Sequence, residues 1–294
     1  MIPGEGELTP DLIATALERF LGDDGRIPDR AKPEIQAGGP VSGGQPPVLC
    51  AGCPHRASFW ALKKAMPKAI YTGDIGCYTL GIALGAVDTV LCMGASISQA
   101  AGFFQAHRLT GKDRPVAAVI GDSTFYHAGI PALVNAVHQG AAFVLLILDN
   151  AVTAMTGGQP TPGTGVLAGG GTGRKVPLEG LVRGCGVEQV WTADPLNGSD
   201  LVTAIREASE AASTGGMAVV ISRSPCVLEL TERQGPVPVL DEDVCTRCGI
   251  CAVRFGCPAI EMDQEGVRIV EDRCPGCGAC VTVCPEGAIH SEED

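Results

Sequence analysis

Between Ala86 and Ser224 short apolar runs alternate with amphipathic stretches. Ala86–Met93, Pro115–Ser123, Phe143–Asn150 and Met217–Ser224 are the apolar runs, rich in Val, Ile, Leu and Ala; Ser96–Leu109, Ala128–Gly140 and Asp200–Ser213 separate them with helical spacing. Cys185–Pro195 adds one more strand-like run. Such alternation predicts βαβ units, an α/β fold whose parallel sheet is covered by helices on both faces. Thr9-Pro10 opens an amphipathic helix with Leu12, Ile13, Leu17 and Phe20 on one side, threonine capping and proline in the first turn. Residues 22–48 carry Gly and Pro without an apolar period, which predicts an extended arm.

The predicted organisation is an N-terminal helix and linker over 1–46, the α/β domain over 47–233, a short linker at 234–239 and a small cysteine-rich α+β domain over 240–294. The halves of that last domain resemble each other as an internal repeat. Thr156–Gly173 is too glycine-rich and too long for an ordinary connection; it is either floppy or a ligand clamp.

Composition narrows the class. Forty glycines and 4 % aromatics suggest tight turns and close backbone approach to ligands. A net charge of −12 excludes a nucleic-acid binder, which needs a basic footprint. The first ten residues hold neither a positive leader nor an apolar stretch, and the longest apolar run, Ala141–Leu148, is too short to span a bilayer, so the expectation is a cytoplasmic protein without membrane attachment.

Eight of the fourteen cysteines fall in the last 50 residues. They read Cys245-x2-Cys248-x2-Cys251-x5-Cys257-Pro258, then Cys274-x2-Cys277-x2-Cys280-x3-Cys284-Pro285. A cubane 4Fe-4S cluster needs four thiolates; the triple run supplies three and a distant cysteine closes the cage. In two-cluster ferredoxins the fourth cysteine serves the other cluster, so one set is Cys245, Cys248, Cys251 and Cys284 and the other Cys257, Cys274, Cys277 and Cys280. Cys-x2-Cys spacing alone also suits tetrahedral zinc; the triple runs with trailing Cys-Pro favour cubanes. Reducing compartments make disulfides the poorer explanation.

Gly121-Asp122-Ser123 ends one predicted strand and Asn150 another, with 27 residues between Asp122 and Asn150. Ligands of open parallel sheets bind at the carboxyl ends of strands. A carboxylate, an amide oxygen and the carbonyl of Val152 would suit a hard cation such as magnesium bridging a diphosphate, although a turn and a capping asparagine give the same local pattern. The segment resembles the thiamin diphosphate motif, with Ser123 in place of its third glycine and Asp149 in place of its first asparagine.

Five stretches, Cys50–Arg56, Gly73–Leu80, Met93–Ile97, Gly121–His127 and Met155–Pro160, make the chain similar to the 2-oxoacid:ferredoxin oxidoreductases, above all their indolepyruvate members, from about Gly4 to the C-terminus. The resemblance implies thiamin diphosphate with Mg2+, contacted by Gly76, Met93, Gly94, Gly121, Asp122, Ser123, Asn150, Val152 and Thr156, with Mg2+ on Asp122, Asn150 and Val152. It places His127 near the reacting carbon as a proton donor, though a histidine after such a turn is often structural. It also implies a third, proximal 4Fe-4S cluster on Cys50, Cys53, Cys77 and Cys226; without it, Cys50 and Cys53 read as an idle or redox pair and Cys226 as a small buried residue. Cys92 and Cys185 have no matching partners and are expected to be buried packing residues.

The implied reaction is oxidative decarboxylation of a 2-oxoacid, arylpyruvate or indolepyruvate first, to acyl-CoA and CO2, with electrons leaving singly through the clusters to ferredoxin. Pyruvate, 2-oxoglutarate or phenylglyoxylate are alternative substrates, and a non-catalytic electron-transfer subunit or a non-redox thiamin decarboxylase are competing roles. Thiamin enzymes also need a glutamate from a pyrimidine-binding domain. In the resembling large subunit that domain precedes this segment, so the expectation is that partner chains, a pyrimidine-binding-domain subunit and a γ-type subunit, supply it. An acidic chain is an imperfect mate for an acidic ferredoxin, which leaves another electron acceptor open.

Overall fold

A computed structural model describes residues 13–17, 47–112 and 114–291. Contacts divide the chain into two units, Met1–Pro46 and Pro47–Asp294. In the first, residues 13–17 are helical, within the expected N-terminal helix; its remaining turns and the Gly/Pro arm up to residue 46 lie outside the described residues.

The second unit is built on a five-stranded sheet. Its strands are β1 (Ile70–Thr72), β2 (Val116–Gly121), β3 (Val144–Asp149), β6 (Gln189–Ala193) and β7 (Ala218–Arg223), in the order β1-β2-β3-β7-β6. Every pairing is parallel, with Ile120 opposite Ile147 and Ile147 opposite Ile221. The central strands are buried along nearly their whole length, as expected where both faces are covered. On one face α1 (Pro54–Ala65) and α5 (Gly198–Ser213) pack Phe59, Leu62, Leu201 and Ile205 against Val119, Leu146 and Val220. On the other, α2 (Ala95–Thr110), α3 (Ile130–His138) and α4 (Leu178–Gly184) pack Ile97, Leu133 and Val182 against Ile120, Leu145 and Ile221. Alternate residues of each strand therefore serve opposite cores.

Two expected elements came out differently. Ala86–Met93 is not a strand; it makes one bridge, Thr89 to Thr72. The Asp88 carboxylate accepts the Tyr71 N–H at 2.8 Å, and a side chain that takes a ladder donor stops the pairing there. The edge strand is instead the short β1. The helix expected from Ala128 begins earlier, with an α turn at Asp122–Thr124 and a π turn at Phe125–Gly129 running into α3.

The cysteine-rich segment forms two antiparallel pairs, β8 (Val239–Leu240) with β11 (Ile289–His290) and β9 (Ile260–Met262) with β10 (Val267–Ile269), plus the short helix α6 (Ala279–Val283). It docks on the α/β core: Phe255, Ala279 and Val283 pack with Ala57, Trp60 and Leu196. The Phe255 and Trp60 rings meet edge to face at 6.0 Å. No described helix is long and apolar enough to cross a membrane.

Candidate cofactor site and cysteine clusters

The turns after β1, β2 and β3 surround a cavity of about 310 Å³. Gly76, Met93, Gly121, Asp122, Ser123, Asn150, Val152, Thr156 and His127 line it, and so does Cys77. Gly94 stands behind this wall as the residue before α2, with φ +89; a β-carbon there would lie 2.5 Å from the Ala128 β-carbon. Only glycine fits that approach.

Asp122 is 2 % exposed. Burial pushes its carboxyl up to about 7, and the neighbouring Asp149 adds to the rise. Asp149 itself is claimed by Arg223, 2.7 Å away, which also holds Glu179. Among the described residues no cation pairs with Asp122. A buried carboxylate with a second acid beside it and no counter-charge is a chemical fit for a divalent cation, whose charge would draw the proton off. Asn150 follows at 6 % exposure; its amide oxygen accepts the Val152 N–H at 3.3 Å. Ala151, between them, holds φ +64, a left-handed conformation that costs a residue with a β-carbon about 1–2 kcal/mol. Strain concentrated between two proposed ligands points to a site that requires the bend.

The long glycine-rich loop after β4 (Val152–Thr153) and β5 (Gln159–Pro160) is folded on itself: the Gly173 N–H donates to the Gly165 carbonyl at 2.7 Å, and Tyr126 Oη ties the loop to α3's leading turn through the Val176 carbonyl at 2.6 Å. Thr161, 2 % exposed, reaches from it to within 3.5 Å of the Asp122 carboxylate.

Three residues that sequence reasoning left without a role shape this site. Asp74 is fully buried and accepts N–H bonds from Gly94 at 2.7 Å, Ser96 at 3.0 Å and Ile75 at 2.8 Å, so it fixes the start of α2. A Gly-Asp step just after the short run Ile70–Thr72 was the available signal. Tyr78 lies under Gly121, where a β-carbon would come within 2.3 Å of its ring, and donates to the Ile75 carbonyl at 2.7 Å. His55 lines the cavity with Nε2 3.5 Å from Asn150 Nδ2; burial lowers it to about 4, so the ring is neutral.

The four proximal cysteines arrive from three places. Cys50 and Cys53 flank the turn before α1, Cys77 follows β1 and the buried Cys226 follows β7. Burial raises the Cys77 thiol first, and thiolate charge on Cys226 and Cys50 raises it further, which reflects their proximity. Cys53 is pushed up to about 12, chiefly by burial.

The two C-terminal sets each enclose a volume. Cys245, Cys248, Cys251 and Cys284 line one cavity; Cys257, Cys274, Cys277 and Cys280 line another. Within the second, burial lifts Cys280 to about 12, and the charge of Cys277 and Cys257 lifts it further. Thiols so desolvated stay protonated unless iron supplies positive charge, so the setting fits a cluster. Among the described residues no three His, Cys, Asp or Glu side chains converge on a single metal ion.

An open parallel sheet with acid and amide groups at its strand ends, joined to a module with two four-cysteine cavities, defines a cofactor-binding domain attached to an iron-sulfur module. The chain belongs to the family described as "Thiamine pyrophosphate enzyme, C-terminal TPP binding domain", matched over residues 52–222. A 4Fe-4S binding domain is matched over 267–290. Among curated proteins it is 47 % identical over 255 residues to the indolepyruvate oxidoreductase subunit IorA of Archaeoglobus fulgidus, covering 83 % of this chain and 40 % of that one. With the subunit of the same name from Pyrococcus horikoshii it shares 39 % identity over 314 residues, 99 % of this chain and 47 % of that one. The chain thus spans less than half the length of these relatives. A 2-oxoglutarate:ferredoxin oxidoreductase from Magnetococcus marinus superposes with a TM-score of 0.52 at 20 % identity over 62 % of this chain and 66 % of that one, which establishes likeness of fold.

Proposed function

We propose that this chain is the thiamin diphosphate and iron-sulfur part of an arylpyruvate, first of all indolepyruvate, oxidoreductase that yields an acyl-CoA and CO2 and passes electrons to ferredoxin. The observation that supports the reading is that Cys77 lines the same cavity as Asp122 and Asn150; with Cys77 as a proximal-cluster ligand, the electron acceptor would border the cofactor.

In this reading Asp122, Asn150 and the Val152 carbonyl hold Mg2+, while Gly76, Met93, Gly94, Gly121, Ser123 and Thr156 form the cradle. Bound thiamin diphosphate supplies the electron sink that decarboxylation of a 2-oxoacid requires. The Asp122 carboxylate contributes the charge that the diphosphate-bound cation needs. Asp74 holds the start of α2, and the buried neutral ring of His55 packs beside Asn150 without adding charge. His127 is exposed on the π turn and lines the cavity; in this reading it donates a proton to substrate. Cys50, Cys53, Cys77 and Cys226 hold the proximal cluster, and the two C-terminal sets complete a three-cluster path. The pyrimidine-binding domain with its activating glutamate, and a γ-type subunit, belong to the rest of the assembly.

The test is an anaerobic assay of the assembled complex with indolepyruvate, phenylpyruvate or pyruvate, each with coenzyme A. About twelve irons per chain and rapid bleaching of the cluster absorbance by the arylpyruvates are expected. Bleaching by pyruvate alone would move the substrate assignment, and no bleaching by any 2-oxoacid would end the reading.

A further inference from the structure

Arg56, on α1, is 3 % exposed and lies where the α/β core meets the cysteine module. Its Nη1 donates to the Phe255 carbonyl at 2.9 Å and to the Gly256 carbonyl, and its Nη2 to the Leu49 carbonyl next to Cys50. The guanidinium stands over the Phe255 ring, 5.9 Å from its centroid. Nε has no hydrogen-bond partner although it is buried. Among the described residues no carboxylate pairs with this cation. A buried, unpaired cation with an unmatched donor is costly unless something negative faces it.

That something is offered by the surroundings. Arg56 lines the cavity of Cys257, Cys274, Cys277 and Cys280 together with Cys53 of the proximal set. The two cysteine loops touch: a β-carbon on Gly52 would come within 2.4 Å of Pro275 Cγ. Four thiolates around a cubane leave a net negative charge, and hydrogen bonds to its sulfurs make it easier to reduce.

We propose that Arg56 is a positioning residue for electron passage: it bridges the proximal cysteine loop to the module and gives its Nε–H to the cluster of Cys257, Cys274, Cys277 and Cys280, raising that cluster's reduction potential above what its burial alone would set. The inference rests on the cluster reading above. In the transfer it serves, one electron leaves the reduced proximal cluster and reduces the next; no bond breaks and no proton moves.

The test is an EPR-monitored redox titration of the full chain, loaded anaerobically with iron and sulfide, as wild type, Arg56→Gln and Arg56→Lys. In Arg56→Gln one of the cluster transitions should become at least tenfold harder to reduce, which is 59 mV for one electron. Arg56→Lys, which keeps the charge and loses the Nε–H, should restore only part of it. A purely structural residue would lower iron content or melting temperature and leave every potential in place, and that result overturns the inference. Should both variants fail to fold, the wild type decides: with guanidino-15N arginine, pulsed EPR of the reduced chain should show a nitrogen coupling that Cys257→Ser removes. Absence of that coupling in a chain carrying its full iron overturns the inference alone; a wild-type chain that takes up no cubanes overturns the cluster reading with it.

Discussion

The backbone N–H of Cys226 donates to the carbonyl oxygen of Asn150 at 3.2 Å. One residue is a proposed cluster ligand and the other a proposed magnesium ligand. They are neighbours because β7 lies beside β3, so the turns leaving both strands share one edge of the sheet. Cys226→Ser preserves the backbone bond and removes only a thiolate. It should take the iron content from about twelve to about eight per chain while thiamin diphosphate still binds. Asp122→Asn should do the reverse, keeping iron and weakening magnesium-dependent binding about tenfold or more. Iron analysis and calorimetry separate the two.

Asp122 also predicts a pH dependence. Its folded carboxyl, at about 7, lies above the unfolded value near 3.8, so between those values the folded state binds more protons than the unfolded one. Stability of the metal-free chain should therefore fall as pH rises from about 4 to about 7. Binding of Mg2+ with thiamin diphosphate near pH 6 should release a proton, and less of one above pH 8. Denaturation at a series of pH values, and calorimetry in buffers of different ionisation enthalpy, read these effects; Asp122→Asn should flatten both.

Gly52 and Gly140 make a matched pair. Both have left-handed backbones, φ +73 and +63, but a β-carbon on Gly52 meets Pro275 whereas one on Gly140 meets nothing within 4 Å. Gly140→Ala should cost about 1–2 kcal/mol from conformation alone. Gly52→Ala should cost more and should slow reduction of the C-terminal clusters, because it parts two cysteine loops. Chemical denaturation and stopped-flow absorbance compare them.

Trp60→Ala removes the partner of the Phe255 ring at the seam between core and module. Trp60 is partly buried, so a loss of about 2–3 kcal/mol is expected, below that of a fully buried aromatic. Limited proteolysis should release the module from the variant sooner than from the wild type. Equal rates would place the docking energy elsewhere.

The sheet was legible because its central strands are long apolar runs, and local chemistry says little against them. Ala86–Met93 misled because its apolar character serves burial of Ala86 and Val87 beside an edge strand, where Asp88 takes a ladder donor. His55 and Tyr78 had no chain signal that sets a cavity wall apart from a core position. The same holds for Arg56: its bond to Phe255 joins residues 199 positions apart, and nothing local foretells it.

By itself the sequence determined what is written in fixed spacing: the two interlocked cysteine sets, the turn bearing Asp122, the Asn150 that follows the next strand, and the alternation that makes a parallel sheet. Only the tertiary structure decided which of these share a wall, how deeply Asp122 and the thiols are withdrawn from water, and that one buried cation stands between two cysteine sets. Spacing specifies ligands along a chain, but desolvation and counter-charge arise from what packs around them, and in this fold the packing partners come from strands adjacent in the sheet and distant in sequence.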